Sequence, residues 1–215
     1  MHHQSRQRYV NWFKRFGFLT LLLTIALTAI FNVRIVAAQT THGQEARTGE
    51  NETTRYPELP NFHRVNERLY RGGQPRAGGI QKLAALGINT IINLRAGDDR
   101  SRREEREAQA AGMRYFNIPF KRLGRPTDEQ IKQTLAIINA PENGRVFVHC
   151  QHGADRTGSV IAIYRVAHDG WTSKEAKREA NRYGMRFWQR GMKDYISDYY
   201  RDRIINTGTV QLEKP

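Results

Sequence analysis

The stretch Val148-His149-Cys150-Gln151-His152-Gly153-Ala154-Asp155-Arg156-Thr157-Gly158 sets a thiol and a guanidinium six residues apart, between an apolar strand pattern and a helical one. Backbone N–H groups of a tight loop, joined to the unpaired amides of a helix start, surround a small volume with positive potential. Cys150 enters that volume from one side. Arg156 closes it from the other with a planar fork suited to two phosphate oxygens. The same field lowers a thiol from its ordinary pKa of about 8.5, so Cys150 is expected to be a thiolate at neutral pH. A thiolate beneath a bound phosphate is a nucleophile for phosphoryl transfer. Burial as a small apolar residue is the commoner fate of a free cysteine, but Arg156 and the glycines around Cys150 argue against it here.

The elements that must hold this loop alternate between strand and helix signals from about 61 to 203. Val65–Tyr70 reads as a strand, ended by Arg71-Gly72-Gly73-Gln74-Pro75. Ile80, Leu83, Ala84 and Leu86 recur at helical spacing over 78–86, and Gly87 closes that helix. Ile88–Leu94 is a β-branched run of the kind found in buried parallel strands. A charged helix over 99–111 and a strand over Met113–Phe120 follow. Thr127 caps a helix to about Ala140, with Asp128 and Glu129 in its first turn, where the helix dipole favours acids. Arg145–His149 is the last strand, and helices over 157–168, 173–183 and 187–203 finish the pattern. The expected fold class is therefore α/β, a mostly parallel sheet of four to five strands covered by helices on both faces. In such sheets ligands lie at the carboxyl ends of the strands, where the Cys150 loop sits.

Length and composition agree with this. The 215 residues hold one ordinary domain plus extensions. At 39% apolar and 26% charged, the chain is neither disordered nor a polytopic membrane protein. One cysteine excludes a disulfide framework. Residues 1–38 carry Arg6, Arg8, Lys14, Arg15 and Arg34 with no acid, followed or flanked by the uncharged run Phe16–Phe31 and a small-residue site ending at Ala38. This order marks an export signal. A helix of that run spans about 24 Å, short of a hydrocarbon core of about 30 Å, which favours cleavage after Ala38 over an uncleaved signal anchor. The domain is accordingly expected outside the cytoplasm, periplasmic or secreted. Residues 39–60 are polar and read as a flexible linker, 61–205 as the domain, and 206–215 as a C-terminal tail. Without the leader's five cations the net charge falls from +14 to +9. This excess points to a phosphorylated or otherwise anionic partner, an anionic membrane surface among them; no nucleic acid is expected.

His-Cys, five residues, then Arg-Thr-Gly resembles the signature loop of the cysteine-dependent protein-tyrosine phosphatase superfamily. The upstream Tyr70-Arg71-Gly72-Gly73-Gln74-Pro75 and Ile88-Asn89-Thr90-Ile91-Ile92-Asn93-Leu94-Arg95 are similar to its compact dual-specificity-like members. The resemblance implies a cysteinyl-phosphate at Cys150, phosphate clamping by Arg156 and a Thr157 hydroxyl that steadies the thiolate. It further implies a phosphate cradle from Gln151, His152, Gly153 and Ala154, an indirect role for His149, and no cofactor or metal.

Larger members of that superfamily carry an acidic residue on a loop before the cysteine, but 117–126 contains no acid. Asp155, inside the signature loop, is the first candidate for the general acid. Asp128 is the alternative, and Asp98 and Asp99 come after it. Lys121, Arg122 and Arg125, with Arg71 and Arg95, follow strand ends and could draw phosphate inwards. Phe187, Trp188, Tyr195, Tyr199 and Tyr200 are expected to pack the last helix against the core. The function expected is phosphomonoester hydrolysis on phosphotyrosyl or mixed phosphoprotein substrates, with a phosphoinositide or inositol phosphate as the alternative. A phosphate-binding module without turnover is a third reading, and redox chemistry is disfavoured by the lone thiol.

Overall fold

Two apolar runs, Thr90–Asn93 and Val146–His149, are buried along their whole length and pair in parallel. Strands covered on both faces bury apolar side chains on each, and the polar Thr90 and Asn93 at the ends of the first run are hydrogen-bonded inside. Successive side chains here serve opposite sides: Ile91 and Phe147 enter one core cluster, Ile92, Val146 and Val148 the other. A computed structural model describes residues 56–212. In chain order the strands are β1 (His63–Arg64), β2 (Leu69–Gly72), β3 (Thr90–Asn93), β4 (Arg114–Asn117) and β5 (Val146–His149). The helices are α1 (Gly79–Ala85), α2 (Asp99–Ala110), α3 (Asp128–Asn139), α4 (Asp155–His168), α5 (Ser173–Arg182) and α6 (Arg190–Leu212). The sheet order is β1-β2-β5-β3-β4, with β1 antiparallel to β2 and the other pairs parallel. The α/β class is as the alternation of signals required, and β5 lies at the centre of the sheet.

Helix starts follow local chemistry. Thr127 and Gln130 form a reciprocal capping box at α3, and Thr172 and Glu175 form another at α5. The helix that receives the β5 loop, α4, has Thr157, Gly158, Ser159, Val160, Ile161, Ala162 and Ile163 all buried. It is a core helix, and its first turn cannot shift without disturbing the packing.

Several boundaries differ from the sequence reading. The strand expected over Val65–Tyr70 begins only at Leu69 and runs on to Gly72, because Asn66 Oδ1 accepts the N–H groups of Arg68 (2.9 Å) and Leu69 (2.8 Å) and turns the chain between β1 and β2. The end of the expected linker, residues 56–60, is folded: Leu59 is fully buried and the Pro60 carbonyl accepts Gly73 N–H at 2.7 Å. The last helix begins at Arg190 and runs on to Leu212, into the expected tail. The expected leader over 1–38 and the linker up to residue 55 lie outside the described residues. Among the described residues no helix is long and apolar enough to cross a membrane.

Candidate active site

The loop that leaves β5 carries Cys150 to the floor of a cleft of about 780 Å³, and Arg156, in the first turn of α4, reaches the same cleft. Cys150 is 2% exposed. Burial pushes its thiol up, but the Thr157 hydroxyl, the Arg156 charge and the backbone N–H groups of Thr157 and His152 outweigh it, so the net shift is down. The Thr157 side chain is fully buried, and its hydroxyl is the strongest of the influences that lower the sulfur. Arg156 Nη1 donates to the Leu94 carbonyl at 3.2 Å, which ties the guanidinium to the end of β3.

The loop needs its glycine. Gly153 has φ +69°, and a Cβ there would lie 2.4 Å from the Gly72 carbonyl carbon. Beneath it, Arg71 Nη2 donates to the Gly153 carbonyl at 2.9 Å, and its guanidinium lies 4.3 Å from the Tyr183 ring centre. Among the described residues, Arg71 Nε and Nη1 have no acceptor. Burial lowers Arg71 to about 10, although the charges of Glu179, Tyr183 and Cys150 pull it the other way. The sequence reading grouped Arg71 with the basic residues that could funnel phosphate. Instead it lies behind the loop, 1% exposed, and holds a loop carbonyl away from the anion volume.

His149 is fully buried with Nε2 3.0 Å from Glu104 Oε1, and its Nδ1 is 3.4 Å from the Cys150 carbonyl. Glu104 Oε2 accepts from Asn93 Nδ2 (3.3 Å) and Tyr115 OH (3.2 Å). Burial raises the Glu104 carboxyl, but His149, Gln74 and Tyr115 hold it below the usual range. Burial and Glu104 push the Tyr115 phenol well up, so it stays a proton donor. This buried polar network fixes the ring behind Cys150. Glu104 was missed because its helix reads as a solvated charge run; its burial at position 104 depends on where β3 and β4 lie.

Asp155 is the sole acid among the residues that line the cleft. Its Oδ1 accepts the Arg186 N–H at 2.9 Å, and its Oδ2 accepts from Arg186 Nε at 2.8 Å and from Nη2. Arg186, which the sequence reading did not single out, lines the cleft as well. Asp128 lies outside the cleft lining and accepts from Tyr195 OH at 2.7 Å. Asp98 caps α2 and pairs with Arg95 at 3.2 Å, while Asp99 pairs with Arg102. Neither joins the lining.

Gln151, His152, Arg95, Lys121 and Arg122 do line the cleft, and Ala154 is buried at the start of α4. Arg125 turns instead to Asp198 at 2.7 Å. Of the expected aromatic packing, Tyr195 is buried, and Tyr199 and Tyr200 pack against the core. Phe187 and Trp188 do not pack as expected: they precede α6 and are largely exposed, with Trp188 on the cleft wall.

This geometry, a thiol and guanidinium at the head of a core helix behind the central strand, is that of a cysteine-dependent phosphatase domain. Residues 50–196 match the family described as DSP-PTPase phosphatase fused to NAD+ kinase, and the chain belongs to that family. It is similar to the dual specificity protein phosphatase TpbA of Pseudomonas aeruginosa, 31% identical over 125 residues, which cover 58% of this chain and 55% of that protein. It is also similar to the inositol diphosphatase DSP4 of Arabidopsis thaliana, 28% identical over 109 residues, 49% of this chain and 54% of that one. The chain thus spans about half the length of these curated relatives. The crystal structure of P. aeruginosa TpbA in complex with phosphotyrosine superposes with a TM-score of 0.56 at 26% identity, covering 68% of this chain and 91% of that chain.

Proposed function

We propose that the chain is a phosphomonoester hydrolase that works through a cysteinyl-phosphate at Cys150. The observation that carries this reading is a buried thiol, lowered by Thr157, Arg156 and two amides, on the floor of a cleft that sets Arg95, Lys121, Arg122, Arg156 and Arg186 against one carboxylate, Asp155. The thiolate attacks phosphorus and the bond from phosphorus to the leaving oxygen breaks. Arg156 and the loop amides hold the equatorial oxygens as charge develops on them. Asp155 gives its proton to the leaving oxygen, then takes one from the water that attacks the cysteinyl-phosphate, and the P–S bond breaks to release inorganic phosphate and the thiolate. For this, Arg186 has to leave Asp155. An incoming dianion competes for that guanidinium, and a carboxyl left beside a dianion favours its neutral form.

The substrate class proposed is a phosphotyrosyl or mixed phosphoprotein. It is supported by family membership and by the similarity to a dual specificity protein phosphatase. An inositol phosphate or phosphoinositide is the second reading, favoured by Arg95, Lys121, Arg122 and Arg186 around the thiol and by the inositol diphosphatase relative. An adjoining groove of about 580 Å³ shares Gln151 and His152 with the cleft and sets Arg76, Arg100 and Arg103 against Glu104 and Glu107, a net excess of one cation. The site of action is proposed to be outside the cytoplasm, on the strength of the basic, apolar and small-residue order of residues 1–38.

Phosphate release from p-nitrophenyl phosphate, phosphotyrosyl and phosphoseryl peptides, phosphoinositides and phytate tests the reading. Wild type should turn over at least one of these, and Cys150→Ser should turn over none while still binding vanadate. Turnover by Cys150→Ser would remove the cysteinyl-phosphate mechanism, and phosphate binding by a wild type that releases nothing would replace the enzyme with a binding module. Asp155→Asn should lose the basic limb of the pH–rate profile and slow alkyl esters more than aryl ones, since a phenolate leaves with less help from a proton donor.

A further inference from the structure

Two loops meet at the mouth of the cleft. The Arg122 carbonyl accepts from Gln189 Nε2 at 3.2 Å, and a Cβ at Gly191 would fall 2.8 Å from the Gly124 carbonyl carbon, so residues 121–125 and 186–191 pack as one rim. The tips of this rim are apolar. Leu123 is 57% exposed, Phe187 80% and Trp188 50%, and the two rings meet edge to face with centres 4.8 Å apart. Over 119–127 and 186–193 the sequence holds six Lys or Arg and no Asp or Glu; Arg125 and Arg186 pair with Asp198 and Asp155, and Lys121, Arg122, Arg190 and Lys193 make up the rest. Clustered large apolar side chains left in water mark a surface that something covers. Leu123 and Trp188 border the concave cleft, but Phe187, the most exposed of the three, stands outside its lining, with cations beside all of them. That pattern suits rings seated at the headgroup level of a bilayer, with Lys and Arg reaching lipid phosphates.

We propose that this rim docks on an anionic lipid surface, with Leu123, Phe187 and Trp188 entering the headgroup layer and Lys121, Arg122 and Arg190 meeting lipid phosphates. The cleft opens beside these tips, so docking brings Cys150 close to phosphoesters held at the membrane. The inference extends the phosphatase reading but does not depend on turnover.

Hydrogen exchange of the full chain tests it with vesicles of phosphatidylcholine alone and of phosphatidylcholine mixed with phosphatidylglycerol. The readout is local because the apolar run Phe16–Phe31 can bind either kind of vesicle. Exchange should slow at 121–125 and 186–191 with the anionic vesicles and stay unchanged with the neutral ones. Phe187→Ser should abolish that slowing yet keep the wild-type rate on p-nitrophenyl phosphate. Arg190→Gln should weaken the anionic-vesicle effect about fivefold, the share of one cation near such a surface. No slowing at these loops, equal slowing on both vesicles, or slowing only when a phosphotyrosyl peptide is added to the Cys150→Ser chain would overturn the lipid assignment. A wild type that docks but releases no phosphate would leave docking standing and remove the enzyme instead.

Discussion

Replacing Arg71 with Met should separate stability from catalysis. Lowering a guanidinium from its ordinary value to about 10 corresponds to about 3 kcal/mol against the charged form in the folded state. The substitution removes that cost along with the charged hydrogen bond to the Gly153 carbonyl, about 1.5–3 kcal/mol, and the contact with the Tyr183 ring, about 1–2 kcal/mol. The terms nearly offset, so urea unfolding should place Arg71→Met within about 2 kcal/mol of wild type, where truncating a buried apolar side chain costs about 2–5 kcal/mol. Function should fall further. Without its donor the Gly153 carbonyl is free to turn towards the anion volume, and a positive charge near Cys150 is lost. We expect kcat on p-nitrophenyl phosphate to drop about tenfold or more, and the pH midpoint for alkylation of Cys150 by iodoacetamide to rise. Arg71→Lys, which keeps the charge, should restore the midpoint in part. A variant that unfolds like a core truncation, with unchanged kcat in its folded fraction, would refute the assignment of Arg71 as a positioning residue.

Thr157→Val removes the hydroxyl that lowers the thiol, so its alkylation midpoint should move to higher pH. The sign follows for stability: a thiol lowered in the folded state stabilises the protein above its unfolded value of about 8.5, and that gain is lost as pH falls through the folded value, so Thr157→Val should flatten the dependence of urea midpoints over this window. Gly153→Ala meets both a positive φ and the Gly72 carbonyl carbon, and should cost at least about 2 kcal/mol in urea unfolding together with vanadate binding. Glu104→Gln removes the carboxylate beside the fully buried His149 ring and should destabilise by about 1–3 kcal/mol in urea unfolding at neutral pH, where the lowered carboxyl of wild type is ionised.

Much of the site was legible because its parts are neighbours in the chain. Cys150, Gly153, Arg156 and Thr157 lie in one strand–loop–helix unit, and local rules for strand ends and helix starts place their groups around a common volume. The α/β class was legible for a similar reason, since buried parallel strands and capped helices leave short-range patterns at Ile88–Leu94 and Thr127–Gln130. Tertiary structure decided the residues that reach the loop from a distance. Arg71 on β2 reads as one more cation after a strand, and only the pairing of β2 beside β5 puts it under Gly153. Glu104 looks solvated until α2 packs over His149, and Arg186 meets Asp155 only because the segment before α6 folds back across α4. That same fold-back leaves Phe187 and Trp188 in water, although their sequence pattern is that of a packed helix. Periodicity records which residues share a face; it carries no information about which other face, or whether any, will cover them.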